Sequence, residues 1–154
     1  MTDLIRATSN RRGFIHGMEQ HQRLGPVRTY RDLIVWQKGK QLAIDVCLLC
    51  ETQGMRSRFG LRDQMTRAAI SIPSNIAEGD ERGSNKDSLK YLIIARASLA
   101  ELETQIEITI GLNAINAEEY DKLHLQAQEV GRLIGGTIRM RQLRLNGSPP
   151  EEAK

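Results

Sequence analysis

The chain has few aromatic, cysteine and histidine side chains and no long apolar run. One Trp, two Phe and three Tyr make up 4% of its 154 residues, and it has only two Cys and three His. A membrane-spanning helix needs about 18 or more consecutive apolar residues, and no segment reaches that length. The first residues also lack the apolar core of a secretory signal. Two cysteines that are predicted to be structural thiols fit a reducing compartment, so we expect a cytoplasmic protein.

The two cysteines form the pattern C-x-x-C, which in other proteins serves redox chemistry or half of a zinc site. Leu48 and Leu49 separate Cys47 from Cys50 in an apolar helix, so nothing nearby activates a thiolate, and no second Cys or His pair completes a metal site. The other candidate ligands are too loosely spaced for one helical face or stand alone on a polar face: His16, Glu19, His21 and His124. We therefore predict structural thiols, no metal and no cofactor.

The charge is concentrated at the N-terminus. The formal net charge is +3, and residues 1–29 account for all of it because they carry five arginines and two acids. These residues show no sustained hydrophobic periodicity, so we predict a flexible basic arm over 1–29. A helical domain over 30–145 and a short polar C-terminal tail over 146–154 complete the expected organisation.

Hydrophobic periodicity predicts four helices. The predicted buried stripe of helix three consists of Leu92, Ala95, Leu99, Leu102, Ile106 and Thr109. The apolar residues make up 40% of the chain and are mostly Leu, Ile and Ala, which favours closely packed helices. Asp32, Ser84 or Asn85, and Asn116 are candidate N-caps of helices one, three and four. The expected bounds are 32–51, 58–78, 85–110 and 116–145, with 79–85 as a loop. An antiparallel up-down four-helix bundle accommodates such helices with short links, and no strand pattern appears.

The second helix contains a proline. Met65, Ala68, Ile72 and Ile76 recur at helical spacing, and Pro73 interrupts this stripe. Because proline lacks an N–H and crowds the preceding turn, we expect it to kink the helix or split it. The flanking Ser71, Ser74 and Asn75 are expected to bond the freed backbone groups.

Four segments of the chain together resemble one protein family. The most specific is FGLRDQMTRAAISIPSNIAEG, and the others are YRDLIVWQKGKQLA, YLIIARASLAELETQIEI and the weaker EVGRLIGGTIRM. In this order and spacing they resemble the 23S rRNA intervening-sequence protein family, also called the four-helix-bundle protein family. Gly39, where the family commonly has Ala, and the N-terminal arm depart from the usual pattern.

The resemblance implies a four-helix bundle that assembles as a ring, commonly a pentamer. Some family members are encoded within insertions in 23S rRNA genes. Relatives are accessory proteins of reverse transcriptases in diversity-generating retroelements, for which binding to nucleic acid and to the reverse transcriptase is the expected activity. By this resemblance we expect a homopentamer.

Arginines are the candidate contacts to nucleic acid. The guanidinium fork bonds phosphate oxygens bidentately and gives affinity without reading sequence. In a five-fold ring each arginine is repeated five times, so mutual repulsion favours an anionic partner. The alternative is a solvated face whose last cations complement the helix dipole. The candidates on helix four are Arg132, Arg139, Arg141 and Arg144, and those on helix two are Arg58, Arg62 and Arg67.

Catalysis has little support in the sequence. There is no Gly-rich phosphate loop after a strand, and Ser71 and Ser74 have no His nearby. We therefore expect a protein that is not an enzyme and that binds RNA or an RNA–DNA intermediate as a homo-oligomer. The alternative is a protein scaffold, or an accessory subunit of a reverse transcriptase, because helix one and the small residues of helix three offer more apolar surface than one bundle needs.

Overall fold

The computed structural model describes residues 28–147, and within that range it contains four α-helices, a short 3-10 helix and no strand. The four helices agree in number and order with those predicted, which confirms the all-α fold class. The predicted arm and tail lie almost entirely outside the described residues and stay predictions. The bounds are Tyr30–Asp32 for the 3-10 helix, Ile34–Cys50 for α1, Phe59–Glu81 for α2, Asn85–Gly111 for α3 and Ala117–Leu145 for α4.

The helices form a closed square in chain order. Helix α1 packs against α2 and α4, and α3 packs against the same two helices, whereas the diagonal pairs are not neighbours. This is the up-down arrangement that short links favour. It places the start of α1, the end of α2, the start of α3 and the end of α4 at one end of the bundle.

One apolar stripe from each helix fills the centre of the square. The predicted stripe of α3 is buried throughout, from Leu92 at 2% exposure to Thr109 at 0%. Thr109 satisfies its hydroxyl by donating to the Gln105 carbonyl at 2.6 Å. The most deeply buried side chains of the four helices include Leu42, Val46, Met65, Ile72, Leu102, Ile106, Val130 and Ile134.

The prediction that Asp32 caps helix one is wrong. Asp32 is the last residue of the 3-10 helix, and its carboxylate accepts the backbone N–H groups of Arg28 and Thr29 at 2.9 and 3.0 Å. These two hydrogen bonds lower the pKa of the Asp32 carboxyl. The residue before α1 is Leu33, which supplies no side-chain cap. The sequence signal therefore marked the short 3-10 helix instead of α1.

Helix α2 continues beyond its predicted end and across the proline. Gly79 is helical and buried, and a Cβ there would lie only 2.8 Å from Tyr91 Cβ, so this glycine permits close packing on α3 and does not end the helix. The helix is not split at Pro73, and the kink stays a prediction. Pro73 cannot donate to the carbonyl four residues earlier, that of Ala69. Ser74 and Asn75 donate to other carbonyls, those of Ile70 and Ser71, at 2.8 Å each.

Two of the predicted caps are confirmed. The Ser84 hydroxyl accepts the Asp87 N–H at 3.0 Å at the start of α3. Asn116 and Glu119 form a reciprocal capping box at the start of α4, with both bonds at 2.9 Å. These interactions satisfy N–H groups that a helix start otherwise leaves unpaired, and they fix where α3 and α4 begin.

Candidate nucleic-acid interface

The seven predicted arginines are spread along α2 and α4, and Arg58 and Arg141 lie at opposite ends of the bundle. Arg58 donates to the Leu112 carbonyl at 3.1 Å, beside the end of α3. Arg141 contacts Asp80 and Asn85, where α2 ends and α3 begins. Helix α2 runs between these ends, and at 1.5 Å per residue it separates them by roughly 30 Å. Arg58 and Arg141 therefore do not belong to one site, whereas Arg67 and Arg132 lie nearer the middle of α2 and α4.

The arginines of α2 are engaged by protein groups. Arg62 lies 2.7 Å from Glu51, and its side chain is only 23% exposed. Arg67 lies 2.9 Å from Asp63, one turn earlier on the same helix, in an exposed pair. Together with the bond from Arg58 to a carbonyl, these contacts give each of the three candidate arginines of α2 a protein partner. Arg56, just before α2, is exposed and forms no ion pair within residues 28–147.

Arg141 joins three helices. Its guanidinium lies 2.9 Å from Asp80 Oδ1 of α2 and 3.1 Å from Asn85 Oδ1 of α3. The side chains of Arg141 and Asp80 are only 18% and 22% exposed. This geometry is that of a structural ion pair, so Arg141 is a poorer candidate for contacting a ligand than its neighbours on α4.

Arg132, Arg139 and Arg144 are exposed. Among residues 28–147, no carboxylate oxygen lies within 4.0 Å of their guanidiniums. Arg132 and Arg139 are two turns apart on α4 and lie opposite the side that buries Val130 and Ile134. The structure thus places the predicted pair together on the outer face of α4, where their charges are uncompensated.

The sequence reasoning missed Arg96 of α3. A Cβ at Gly131 would lie 3.3 Å from Leu99 Cδ2, which fixes the antiparallel register of α3 and α4. Arg96 lies one turn before Leu99 and is therefore roughly level with Arg132. It is exposed and, within the described part of the chain, forms no ion pair. Its position off the apolar stripe of α3 was the signal that could have identified it.

We call Arg96, Arg132 and Arg139 together the arginine face. Gly135 and Gly136 lie on α4 between Arg132 and Arg139. A Cβ at either position would have no atom within 4 Å apart from the adjacent residues and the nearby backbone of α4. The surface between the two arginines is therefore low and carries no side chain. A chain of phosphates can approach the backbone of α4 closely there.

The cysteines show no sign of a reactive centre. Cys50 is buried, and burial raises the pKa of its thiol, which disfavours the nucleophilic thiolate. Over residues 28–147 there is no group of three His, Cys, Asp or Glu side chains arranged to hold a metal ion. The candidate ligands His16, Glu19 and His21, which are predicted not to bind a metal, lie outside the described residues. Nor does any of the four helices have the length and hydropathy of a membrane span.

The family is decided by a match to a family model. The model of the 23S rRNA-intervening sequence protein matches residues 31–136, which is most of the chain. The chain belongs to this family. The match includes Arg96 and Arg132 of the arginine face and ends before Arg139.

A solved crystal structure with a similar chain fold supports the four-helix fold. The crystal structure of a protein of unknown function from the S23 ribosomal protein family of Bacteroides thetaiotaomicron aligns with a TM-score of 0.63. The two chains are 24% identical, and the alignment covers 68% of this chain and 98% of the other. At 24% identity this similarity supports the fold alone. No curated protein matches the chain.

Proposed function

We propose that this member of the 23S rRNA-intervening sequence protein family is a non-enzymatic, self-assembling protein that binds RNA or an RNA–DNA intermediate. Its contacts are phosphate contacts made by the arginine face, with Arg144 at the end of α4. The expected assembly is a pentamer. The observation that supports the proposal is that no carboxylate oxygen lies within 4.0 Å of these guanidiniums in the described part of the chain, whereas the three candidate arginines of α2 have carboxylate or carbonyl partners.

The chemistry of the arginine face suits a phosphate backbone more than a base sequence. Guanidinium groups form charge-assisted, bidentate bonds to phosphate oxygens. The aromatic side chains of α4 are Tyr120 and His124, which stack on each other in its first turns, and Tyr120 donates to Glu107 on α3. Both lie at least two turns before Arg132. Base stacking therefore has no platform on this face, and binding is expected to depend on salt and little on sequence.

A charge-reversal experiment tests the proposal. The double variant Arg132→Glu/Arg139→Glu should lose affinity for a mixed RNA of a few hundred nucleotides. Each lost phosphate contact should also reduce the slope of log K against log salt concentration by about 0.7 to 0.9. The matched control is Arg56→Glu/Arg67→Glu, which changes the net charge equally but away from α4, just before α2 and within its first half.

The mass of each variant should first be measured by light scattering, so that loss of binding is not confused with loss of assembly. Retained affinity in Arg132→Glu/Arg139→Glu would contradict the assignment of the arginine face. Equal weakening by the control pair would show that binding follows net charge alone.

The scaffold alternative is favoured by a different observation. Exposed apolar side chains lie on two separate parts of the bundle, including Leu48 at 64% and Ile93 at 50% exposure. If the assembled protein ignores RNA at low salt, and a protein co-purifies that survives nuclease and high salt, the chain acts as a scaffold. An accessory role beside a reverse transcriptase is the form of this alternative that the family resemblance suggests.

A further inference from the structure

A shallow apolar groove runs between α1 and α2 on the outside of the bundle. Ile44 and Leu48 are 43% and 64% exposed along the α1 wall. Lys40 and Glu51, both exposed, stand at its two ends. We call this the α1/α2 groove, and its remaining lining is Ala43, Cys47, Ile70 and Pro73.

Helix α3 presents a convex apolar strip on its outer side. Ile93 and Ile94 are 50% and 40% exposed, and the small residues Ala97 and Ala100 follow them one and two turns later. The buried side of the same helix carries Leu99 and faces α2 and α4. We call the outer strip the α3 ridge, and it consists of Ile93, Ile94, Ala97 and Ala100.

The groove and the ridge carry matching charges. Lys40 on α1 and Glu51, which directly follows α1, are eleven residues apart on one side of the bundle, and Lys90 and Glu101 are eleven residues apart on one face of α3. Glu51 pairs with Arg62 of its own copy at 2.7 Å, and its side chain is still 75% exposed. At this spacing each Lys–Glu pair spans about 16 Å along the helix axis. Both pairs read Lys first and Glu second, so an antiparallel alignment of the two helices places opposite charges together at both ends.

We propose that the α3 ridge of one copy lies in the α1/α2 groove of the next copy, with α3 antiparallel to α1. Lys40 then meets Glu101 of the neighbour, and Glu51 meets Lys90. In this register Ile44 lies opposite Ala97 and Cys47 lies opposite Ile94, so larger apolar side chains face smaller ones along the contact. The interface rests on the self-assembly proposed above and names the surfaces that carry it.

The position of the two surfaces determines the kind of assembly. Helices α1 and α3 are diagonal in the square, so the groove and the ridge lie on different sides of one copy. Each copy can use both at once, each with a different neighbour. Such a heterologous contact produces a ring when the rotation closes, whereas a self-matching contact gives a two-fold dimer. A concave groove also packs better on a convex ridge than on another groove.

A charge-swap series tests the pairing, with mass measured by light scattering at low salt and without RNA. Lys40→Glu and Glu101→Lys should each shift the protein toward the protomer mass, because each places like charges at the interface. The double variant Lys40→Glu/Glu101→Lys should restore the mass of the unaltered protein. Failure of this double variant to restore it would overturn the pairing.

Two further double variants separate this interface from self-matching contacts. Rescue of Lys40→Glu by Glu51→Lys would indicate α1 against α1, and rescue of Glu101→Lys by Lys90→Glu would indicate α3 against α3. Either result overturns the proposal. If the unaltered protein itself has the protomer mass, the interface is absent, while RNA binding by the arginine face can still be measured independently.

A matched pair of leucines provides a second readout that does not depend on charge pairing. Leu48 in the groove and Leu125 on α4 are 64% and 63% exposed, so neither contributes much to the protomer core. Leu48→Asp should dissociate the assembly, and Leu125→Asp should leave its mass unchanged. An intact assembly in Leu48→Asp would contradict the proposal, as would equal dissociation of both variants.

Discussion

Arg141 Nη2 lies 2.9 Å from Asp80 Oδ1, and this pair joins the end of α4 to the end of α2. A third group, Asn85 Oδ1, accepts from the same guanidinium and adds the start of α3. The most C-terminal buried side chain of α4 is Ile138, so the ion pair lies just beyond the apolar core. One end of the bundle is therefore held by a polar junction of three helices.

Removing this junction should destabilise the protomer. Hydrogen bonds to charged groups contribute about 1.5–3 kcal/mol when they are shielded from water, and both side chains here are less than a third exposed. Arg141→Ala should therefore lower the free energy of unfolding by about 2 kcal/mol, measured by urea denaturation. Arg139→Ala, two residues away and exposed, is the control and should change it by less than about 0.5 kcal/mol. Equal effects of the two substitutions would contradict the structural role of Arg141.

Asp45 should make the contact between α1 and α4 sensitive to acid. Its carboxylate accepts from Gln126 at 2.6 Å and Lys122 at 3.2 Å. Burial raises the pKa of Asp45, but these bonds and one from Gln41 outweigh that effect and lower the pKa below its ordinary value of 3.8. Because the folded-state pKa is lowered, the stabilisation is complete above the unfolded-state pKa and is lost as the pH falls through the folded value.

Comparison with Asp45→Asn measures this contribution. At neutral pH the free energy of unfolding of the variant should be about 1 kcal/mol lower than that of the unaltered protein, because the variant loses the charge-assisted bonds. The difference should decrease below pH 3.8, where the unaltered carboxyl also becomes protonated. A difference that is independent of pH would show that the charge of Asp45 is not responsible.

Substitution by alanine should have opposite effects on thermal stability at two glycines of the bundle. A Cβ at Gly79 would lie 2.8 Å from Tyr91 Cβ and 3.3 Å from Ser88 Cα, so Gly79→Ala should force α2 away from α3 and lower the melting temperature. At Gly135 a Cβ meets open space, so Gly135→Ala should stabilise α4 by up to about 1 kcal/mol and raise the melting temperature. Thermal unfolding followed by circular dichroism distinguishes the two, and a stabilising Gly79→Ala would contradict the close contact.

Much of the fold was predictable because its signals are local. The stripe from Leu92 to Thr109 repeats at helical spacing, and every predicted member is buried. Ser84 and Asn116 cap the helices that follow them because their partners are three residues away. Asp32 misled the prediction for the same reason, because it completes the capping box of the 3-10 helix with the N-cap Thr29, and in sequence such a residue looks like the N-cap of an α-helix.

The site was only partly predictable because charge partners are set by tertiary structure. Arg62 meets Glu51 across a helix link, and Arg141 meets Asp80 from 61 residues away. Neither pairing is visible in the spacing of the arginines. The level of Arg96 with Arg132 depends on the register of two antiparallel helices, which the contact of Gly131 with Leu99 reveals.

The square arrangement also has a consequence for how the chain folds. Contacts of α2 with α3 and of α3 with α4 join neighbouring segments, whereas α4 reaches α1 through contacts such as Gln126 with Asp45, 81 residues apart. Closing so long a loop costs entropy before its contacts form, so we expect α1 and α4 to join late. Asp45→Asn should then speed unfolding and leave the refolding rate nearly unchanged in stopped-flow experiments. A protomer built this way is expected to complete its own fold before it meets a second copy.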